Sequence, residues 1–442
     1  MSTFYVYDIE TYPNCFTCTT VDYTNGTTWV HELSERKNEM PMFLQLLKFI
    51  ETTGGRMVGF NNVAFDYPVI HNCILNREAG QITNAAIMAE VNRLFDPETQ
   101  FKSVRPSDVI IPQVDLFKIH HFDNSAKRTS LKALELFMRM DKIQDLPFIP
   151  NTNLKPREMA DLVTYNIHDV KATTQFLDAS VEMIAFRDQM SKEYGIDFTN
   201  FNDVKIGTEI LRLQLEKRNP GCTRHKSPRS EVRLGELILG AVKLNHPAFK
   251  EVERRITETV ISGKDLVDGA NIELITKGVF KDLTAVIDGF AIDFGMGGLH
   301  ASVPPQIVTS DDEYAIIDLD VASYYPNIAT SYGIFPEHLG PDFCEVYRDM
   351  YEIRKKYPKS NPMNKAMKLA LNGSFGATNS KYSYLFDPNY TFTITINGQL
   401  LLAMFIERCI QIPSLTMIQV NTDGITVKLK RSDVDTLLLN AR

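Results

Sequence analysis

Asp8 and Glu10 stand two residues apart in Asp8-Ile9-Glu10, at the end of an alternating, β-rich run that starts at Phe4. Strand side chains point to opposite faces in turn, so both carboxylates emerge on one side. Asp66 follows in Asn62-Val63-Ala64-Phe65-Asp66, and Asp169 in Tyr165-Asn166-Ile167-His168-Asp169. The latter segment has helical periodicity, and residues four apart on a helix share a face. Acidic groups converging in this way repel one another strongly unless divalent cations neutralise them. Such a cluster suits phosphodiester hydrolysis with two metal ions, one activating water and one stabilising the leaving oxygen. Taken singly, the acidic pair could arise by chance, Asp66 could be a turn residue and Asp169 a solvated helix position.

A second set of candidates lies in the C-terminal half. Asp320 closes the expected strand Tyr314–Leu319 and opens Asp320-Val321-Ala322-Ser323-Tyr324-Tyr325-Pro326. A carboxylate at a strand end, before a tight aromatic turn, suits a site where a metal-bound triphosphate lies against the backbone. Asp318, two residues earlier on the same strand, is the competing carboxylate. Lys368 and Asn372, in the run Lys368–Gly376, are one helical turn apart and face the same way. A lysine-rich surface helix is the plain alternative. Asn421-Thr422-Asp423-Gly424 reads as a hairpin turn, and an Asp-Gly turn by itself needs no catalysis.

Taken in order, these segments resemble the family-B DNA polymerases, with a proofreading 3′→5′ exonuclease ahead of the polymerase, and the resemblance covers nearly the whole chain. It implies that Asp8, Glu10, Asp66 and Asp169 bind metals and that Tyr165 orients the attacking water. Asn62 and Phe65 would hold the frayed 3′ end, Phe65 with a stacking face, and Ser130 and Leu131 would touch the single strand. Lys142 is a further candidate for assisting the hydrolysis, and His168 is read as structural. In the polymerase half, Asp320 and Asp423 would share metals, with Val321 in the same metal site. Tyr325 falls at the steric gate that excludes a 2′-OH. Lys368, Asn372 and Arg354 would hold the incoming nucleotide, Arg354 through its planar fork. The implied reaction is in-line attack of a primer 3′-OH on the α-phosphate of a dNTP, with Mg²⁺, or Mn²⁺ in its place, as cofactor.

The pattern departs from the family at several positions. Tyr324 stands where leucine is commoner, and Gly373 and Phe375 replace serine and tyrosine. Phe294–Gly298 resembles the family's Tyr-x-Gly-Gly connector with Phe for Tyr. Asn421 takes the place of the first aspartate of the Asp-Thr-Asp turn, and Gln419 that of the preceding tyrosine. The exonuclease begins within ten residues of Met1, as in compact bacteriophage-type enzymes, and Met1-Ser2-Thr3 shows no export signal. Only 19 residues follow Asp423, whereas a thumb needs on the order of 100. A fragment, a truncated inactive product and a second polypeptide carrying the thumb are the alternatives.

The elements that must position these groups are legible as periodicity. Phe4–Ile9, Cys15–Asp22 and Thr27–Glu32 read as strands, with Asn25-Gly26 as a two-residue turn. Arg56–Phe60 and Val109–Phe117 read as further strands, and Met40–Glu51, Leu131–Met140 and Pro156–Ile184 as helices. Downstream, Cys344–Tyr357, Asn364–Leu371 and Asn397–Ile412 read as helices, before a hairpin of Leu415–Val420 and Ile425–Lys430. The expected fold class is α/β and α+β multidomain. An RNase H-like exonuclease domain occupies residues 1–190, a connector and the start of the palm 191–305, and a palm with short helical fingers (about 345–385) residues 306–442.

Composition narrows the setting. A net charge of −8 argues against a simple basic nucleic-acid binder, but Tyr351–Lys368 and Arg212–Arg233 each carry a local charge of +5. Six scattered cysteines make no disulfide framework and fit a reducing, cytoplasmic compartment; Cys15 and Cys18 have half-zinc spacing but no second pair. No apolar run reaches membrane-spanning length, so no membrane partner is expected. The expected partners are primer–template DNA and dNTPs. Two other functions stay open: a single-strand exonuclease with a vestigial polymerase half, and a non-catalytic DNA-binding replication subunit. Asn421→Asp is expected to change the Mg²⁺/Mn²⁺ dependence of nucleotide incorporation; superimposable metal titrations of the two proteins would count against a role for this position.

Overall fold

Strand β1 (Phe4–Tyr12) is covered on both faces, which makes it the centre of the first of two compact units. The computed structural model describes residues 3–77, 82–124, 127–262 and 280–441, and the units divide between Asp203 and Val204. Met1, Ser2 and part of the expected connector lie outside the described residues. In the first unit β2 (Cys15–Asp22), β3 (Thr28–Ser34), β4 (Arg56–Gly59) and β5 (Gln113–Asp115) complete a sheet of order β3-β2-β1-β4-β5. The β1–β2–β3 pairings are antiparallel and the β1–β4–β5 pairings parallel.

The alternation of β1 decides where the site can be. Tyr5, Tyr7 and Ile9 enter one core together with the helices Met40–Thr52, Asp66–Leu75 and Asn84–Phe95. On the opposite face Val6 joins a cluster with Val170 and Phe176, and Tyr12 a separate one with Met159 and Leu162. Asp8 and Glu10 stand on that face between the two clusters. The helix Pro156–Asp178 contributes residues to both clusters and therefore passes over the two carboxylates.

Several elements differ from their expected bounds, each for a visible reason. The β2–β3 turn has four residues, Tyr23–Gly26. The Asp22 N–H donates to the Thr27 carbonyl (2.9 Å) and the Asp22 carboxylate accepts from the Thr24 N–H (2.8 Å). The expected strand Val109–Phe117 shrinks to β5, because the Asp115 carboxylate caps the short helix Leu116–Ile119. The expected helix Pro156–Ile184 ends at Asp178 and a new one, Val181–Tyr194, begins. Between them Ser180, fully buried, donates its hydroxyl to the Phe176 carbonyl (2.8 Å).

The second unit is built on an antiparallel sheet of β8 (Thr284–Ile287), β9 (Phe290–Phe294), β10 (Leu299–Ser302), β11 (Tyr314–Asp320), β12 (Thr416–Asn421) and β13 (Gly424–Lys430). Its order is β11-β13-β12-β10-β9-β8; β6 (Glu231–Arg233) and β7 (Val260–Ser262) pair separately. The helix Pro388–Cys409 backs the sheet through Phe392, Ile396, Leu400, Ala403 and Ile406, a stripe at helical spacing. Its buried polar residues hold loops: Asn397 Oδ1 accepts from the Leu239 N–H (2.8 Å) and Gln399 Oε1 from the Gly295 N–H (3.0 Å). Further helices span Asp203–Arg218, Tyr324–Tyr332, Asp342–Lys356 and Pro362–Ala377. The protein is thus a mixed α/β chain of two units, and among the described residues no helix is long and apolar enough to cross a membrane.

Candidate functional site

One oxygen from each of Asp8, Glu10 and Asp169 lies within 4.8 Å of the other two. Asp8 and Glu10 come from the acidic stretch of β1, and Asp169 from the overlying helix. Asp66 opens the helix Asp66–Leu75 and lies beside this trio, where one of its oxygens accepts the N–H of Ile9 (3.2 Å), the residue between Asp8 and Glu10. Asn166, one turn before Asp169, donates its amide to Asp8 Oδ2 (2.8 Å). Tyr165, one turn before Asp169, directs its hydroxyl at the Asp169 carboxylate.

The electrostatics show what this crowding costs. Burial, and then Asp66, Glu10 and Asp169, hold Asp8 well above the usual carboxylate range. Burial followed by Asp169 and Asp66 does the same to Glu10. Asp66 is pushed up to about 7, chiefly by burial, although backbone N–H donors from Ile9 and from Asp66 itself oppose the shift. Asp169 is likewise pushed up to about 7 by burial, while the Tyr165 hydroxyl pulls it down and Glu135 pushes it up. Carboxylates that resist ionisation in each other's company, all hard oxygen donors, fit a divalent ion such as Mg²⁺ or Mn²⁺.

The other residues expected at this site fall in several places. Phe65 is half-buried and packs against Phe95 (ring centroids 5.7 Å). Asn62 is fully buried, with its amide donating to Gln113 Oε1 (2.9 Å) and lying 3.3 Å from the Tyr7 hydroxyl. As placed, it supports its loop from beneath and has no free surface to offer a strand end. Ser130 and Leu131 line a cleft of about 660 Å³ with Phe60, Asn61, Phe117 and Arg128; Ser130 also caps the helix Leu131–Phe137. Lys142 is exposed. His168 pairs with the buried Glu135 (3.2 Å), in keeping with a structural part. Two groups escaped the sequence reading: Asn166, inside a motif already singled out, and Asp115, pushed up to about 6 by burial.

In the second unit Asp320 and Asp423 meet where β11 and β13 end together. Asp320 is in register with Gly424, and the Val321 N–H donates to the Asp423 carbonyl (2.8 Å). Val321 has no ligating side chain, so only its backbone carbonyl could serve a metal. A Cβ on Gly424 would lie 2.5 Å from Asp320 Oδ1 and from the Leu319 carbonyl, so only glycine lets the turn come this close. Burial, then Asp423 and Asp318, raise the Asp320 carboxyl above its usual range. Asp318 is itself engaged, accepting from the Thr426 hydroxyl (2.7 Å). Asn421 turns its Oδ1 to the Thr422 N–H (2.9 Å). Among the described residues, no trio of carboxylates as close as that of the first site forms around this pair.

A cleft of about 230 Å³ beside Asp423 is lined by Tyr325, Asn372, Phe375 and Thr422. The Tyr325 ring contacts Phe375 (centroids 4.6 Å), and its hydroxyl donates to the Gly297 carbonyl, within the Phe294–Gly298 run. Tyr324 donates to the Gly398 carbonyl (2.6 Å). Lys368 is exposed one turn before Asn372 on the same helix, and Arg354 is half-exposed on the helix Asp342–Lys356.

No protein-family model matches this sequence, and no curated protein matches it. Among solved structures the chain is similar to the family B DNA polymerase from the hyperthermophilic archaeon Pyrobaculum calidifontis, with 17% sequence identity and a TM-score of 0.50. The match covers 99% of this chain and 55% of that enzyme, so the chain spans about half its length. The likeness is one of fold.

Asp66 and Asp169 titrate at about 7 in the folded chain against about 3.9 when unfolded. Their protonated forms favour the folded state, so this contribution is complete at low pH and is lost as pH rises through 7. In EDTA, Tm is expected to fall between about pH 5 and about pH 8 more steeply for the native chain than for Asp66→Asn, with Mg²⁺ offsetting the loss at the higher pH. Equal slopes for the two proteins would refute electrostatic strain at Asp66.

Proposed function

We propose that this chain is a DNA-directed DNA polymerase with an associated 3′→5′ exonuclease. The observation that carries the proposal is the meeting of Asp320 and Asp423 at the β11–β13 end, beside a cleft lined by Tyr325 and Asn372, in a fold similar to a family B DNA polymerase. On this reading the first unit is the RNase H-like nuclease, and the second holds the palm with its fingers helices Asp342–Lys356 and Pro362–Ala377. The order β3-β2-β1-β4-β5, with its carboxylates on β1, supports the nuclease half.

Asp320 and Asp423 would hold the metal ions for nucleotide addition, and Asp8, Glu10, Asp66 and Asp169 those for hydrolysis. When bound, Mg²⁺ would supply charge neutralisation and an activated oxygen nucleophile. The chain's own groups do the remaining work. Lys368, Asn372 and Arg354 would take up the triphosphate of a dNTP, and the Tyr325 ring, fixed by its hydroxyl bond to Gly297, would close off the space of a 2′-OH. Tyr165 would orient water over the nuclease site, and Phe65, Ser130 and Leu131 would contact the primer end. Primer–template DNA and dNTPs are the implied partners.

One observation favours a second reading. Three carboxylates at the nuclease site lie within 4.8 Å of one another, whereas among the described residues no such trio forms around Asp320 and Asp423, and Asn421 is turned into its own hairpin. A single-strand exonuclease with a vestigial polymerase half fits that contrast. A labelled primer–template with Mg²⁺, with and without dNTPs, separates the two. Extension is expected with dNTPs and shortening without them, Asp320→Ala losing only extension and Asp66→Ala only shortening. Shortening alone under both conditions would reject the polymerase assignment.

A further inference from the structure

Asp115 is fully buried at the end of β5 and belongs to neither carboxylate cluster described above. Its oxygens are taken up by backbone amides. Oδ1 accepts from the N–H groups of Asn61 (2.9 Å), Phe117 (3.0 Å) and Lys118 (3.4 Å), and Oδ2 from that of Val63 (3.3 Å). A carboxylate engaged in this way serves as an anchor rather than a ligand. Two of the donors lie in the loop that leaves β4 and delivers Phe65 and Asp66. Asn61 in that loop adopts φ +63°, a left-handed conformation that asparagine tolerates better than most residues with a side chain.

The anchor is itself braced. On the open edge of β5, Asn200 Oδ1 accepts the Asp115 N–H (2.7 Å), while its amide donates to the Gln113 carbonyl (2.9 Å). One side chain thus takes the place of a neighbouring strand. Gln113 Oε1 in turn accepts from the Asn62 amide (2.9 Å). Residues 113 and 115 of β5 therefore fix positions 61, 62 and 63 in succession. Three residues later, Asp66 receives the Ile9 N–H, between the two carboxylates of β1.

We propose that Asp115 is a positioning residue of the nuclease site: it sets the loop 61–65 so that Asp66 is held against Ile9 at a fixed distance from Asp8 and Glu10. This deepens the nuclease assignment and rests on it for its functional consequence.

The test compares the full chain with Asp115→Ala and Asp115→Asn. Amide hydrogen exchange is followed at Ile9, Asn61 and Val63 in metal-free protein, and degradation of a labelled single strand is followed in Mn²⁺. In Asp115→Ala, exchange at all three amides is expected to quicken while β1–β2 amides keep their protection, and kcat to fall about tenfold with little change in KM. Asp115→Asn keeps an oxygen for Asn61 and Phe117 and is expected to recover most of kcat, with faster exchange confined to Val63. Native exchange rates at these amides, or faster exchange with unchanged kcat, would overturn the proposal. Should Asp115→Ala fail to fold, Asp115→Asn decides alone through exchange: faster exchange at Val63 with native protection of the β1–β2 amides supports the proposal, and native exchange at Val63 overturns it. If the native chain degrades no strand, the nuclease assignment fails, and the exchange at Ile9 still decides whether Asp115 positions Asp66.

Discussion

Mutual repulsion among Asp8, Glu10, Asp66 and Asp169 is the constraint around which the first unit is organised. Each is buried or half-buried, and each is held above the ordinary carboxylate range, first by burial. Nothing local would keep such groups together, since in water they would separate and hydrate. They are held by what lies on either side of them. The Val6 and Tyr12 clusters clamp the helix Pro156–Asp178 over β1 at two points, and the acidic stretch fills the span between. Apolar burial at the ends thus supplies the stabilisation that the middle consumes.

The same tension recurs in milder form in the second unit. Asp320 and Asp423 are brought together by strand register, with Gly424 removing the side chain that would separate them. Here too the pair depends on a scaffold whose interior is elsewhere, in the stripe that the helix Pro388–Cys409 presents to the sheet. Polar residues on that helix do a second job. Gln399 holds the Gly295 amide at the start of the glycine-rich run, and Gly297 in that run receives the Tyr325 hydroxyl. Strand register, helix packing and the position of the aromatic ring over the cleft are therefore linked.

Much of this was legible in the sequence because period-two alternation is unambiguous when charged residues interrupt an apolar strand. Asp8 and Glu10 had to share a face, and Asp320 and Asp423 had to sit at strand ends. Less legible were features that depend on which way a side chain turns. Asn62 is turned inward by Gln113 and Tyr7, a consequence of how β5 lies beside β4, and no spacing in its own motif signals this. Asp115 reads as one more residue of an expected strand; only the folded chain shows that it ends the strand, caps a helix and holds a loop. The break at Asp178 was hidden for a similar reason, since Ser180 interrupts an apolar pattern that otherwise runs on.

The claim that the carboxylate clusters exist to hold divalent ions can be tested without turnover. Crystals of the chain soaked in Mn²⁺, with data collected above the manganese absorption edge, would locate every bound ion by anomalous scattering. Peaks are predicted within ligand distance of Asp8, Glu10 and Asp169, and between Asp320 and Asp423. At saturating Mn²⁺, the absence of a peak beside Asp8, Glu10 and Asp169 would contradict the metal-site assignment, because protons alone would then relieve the crowding of those carboxylates.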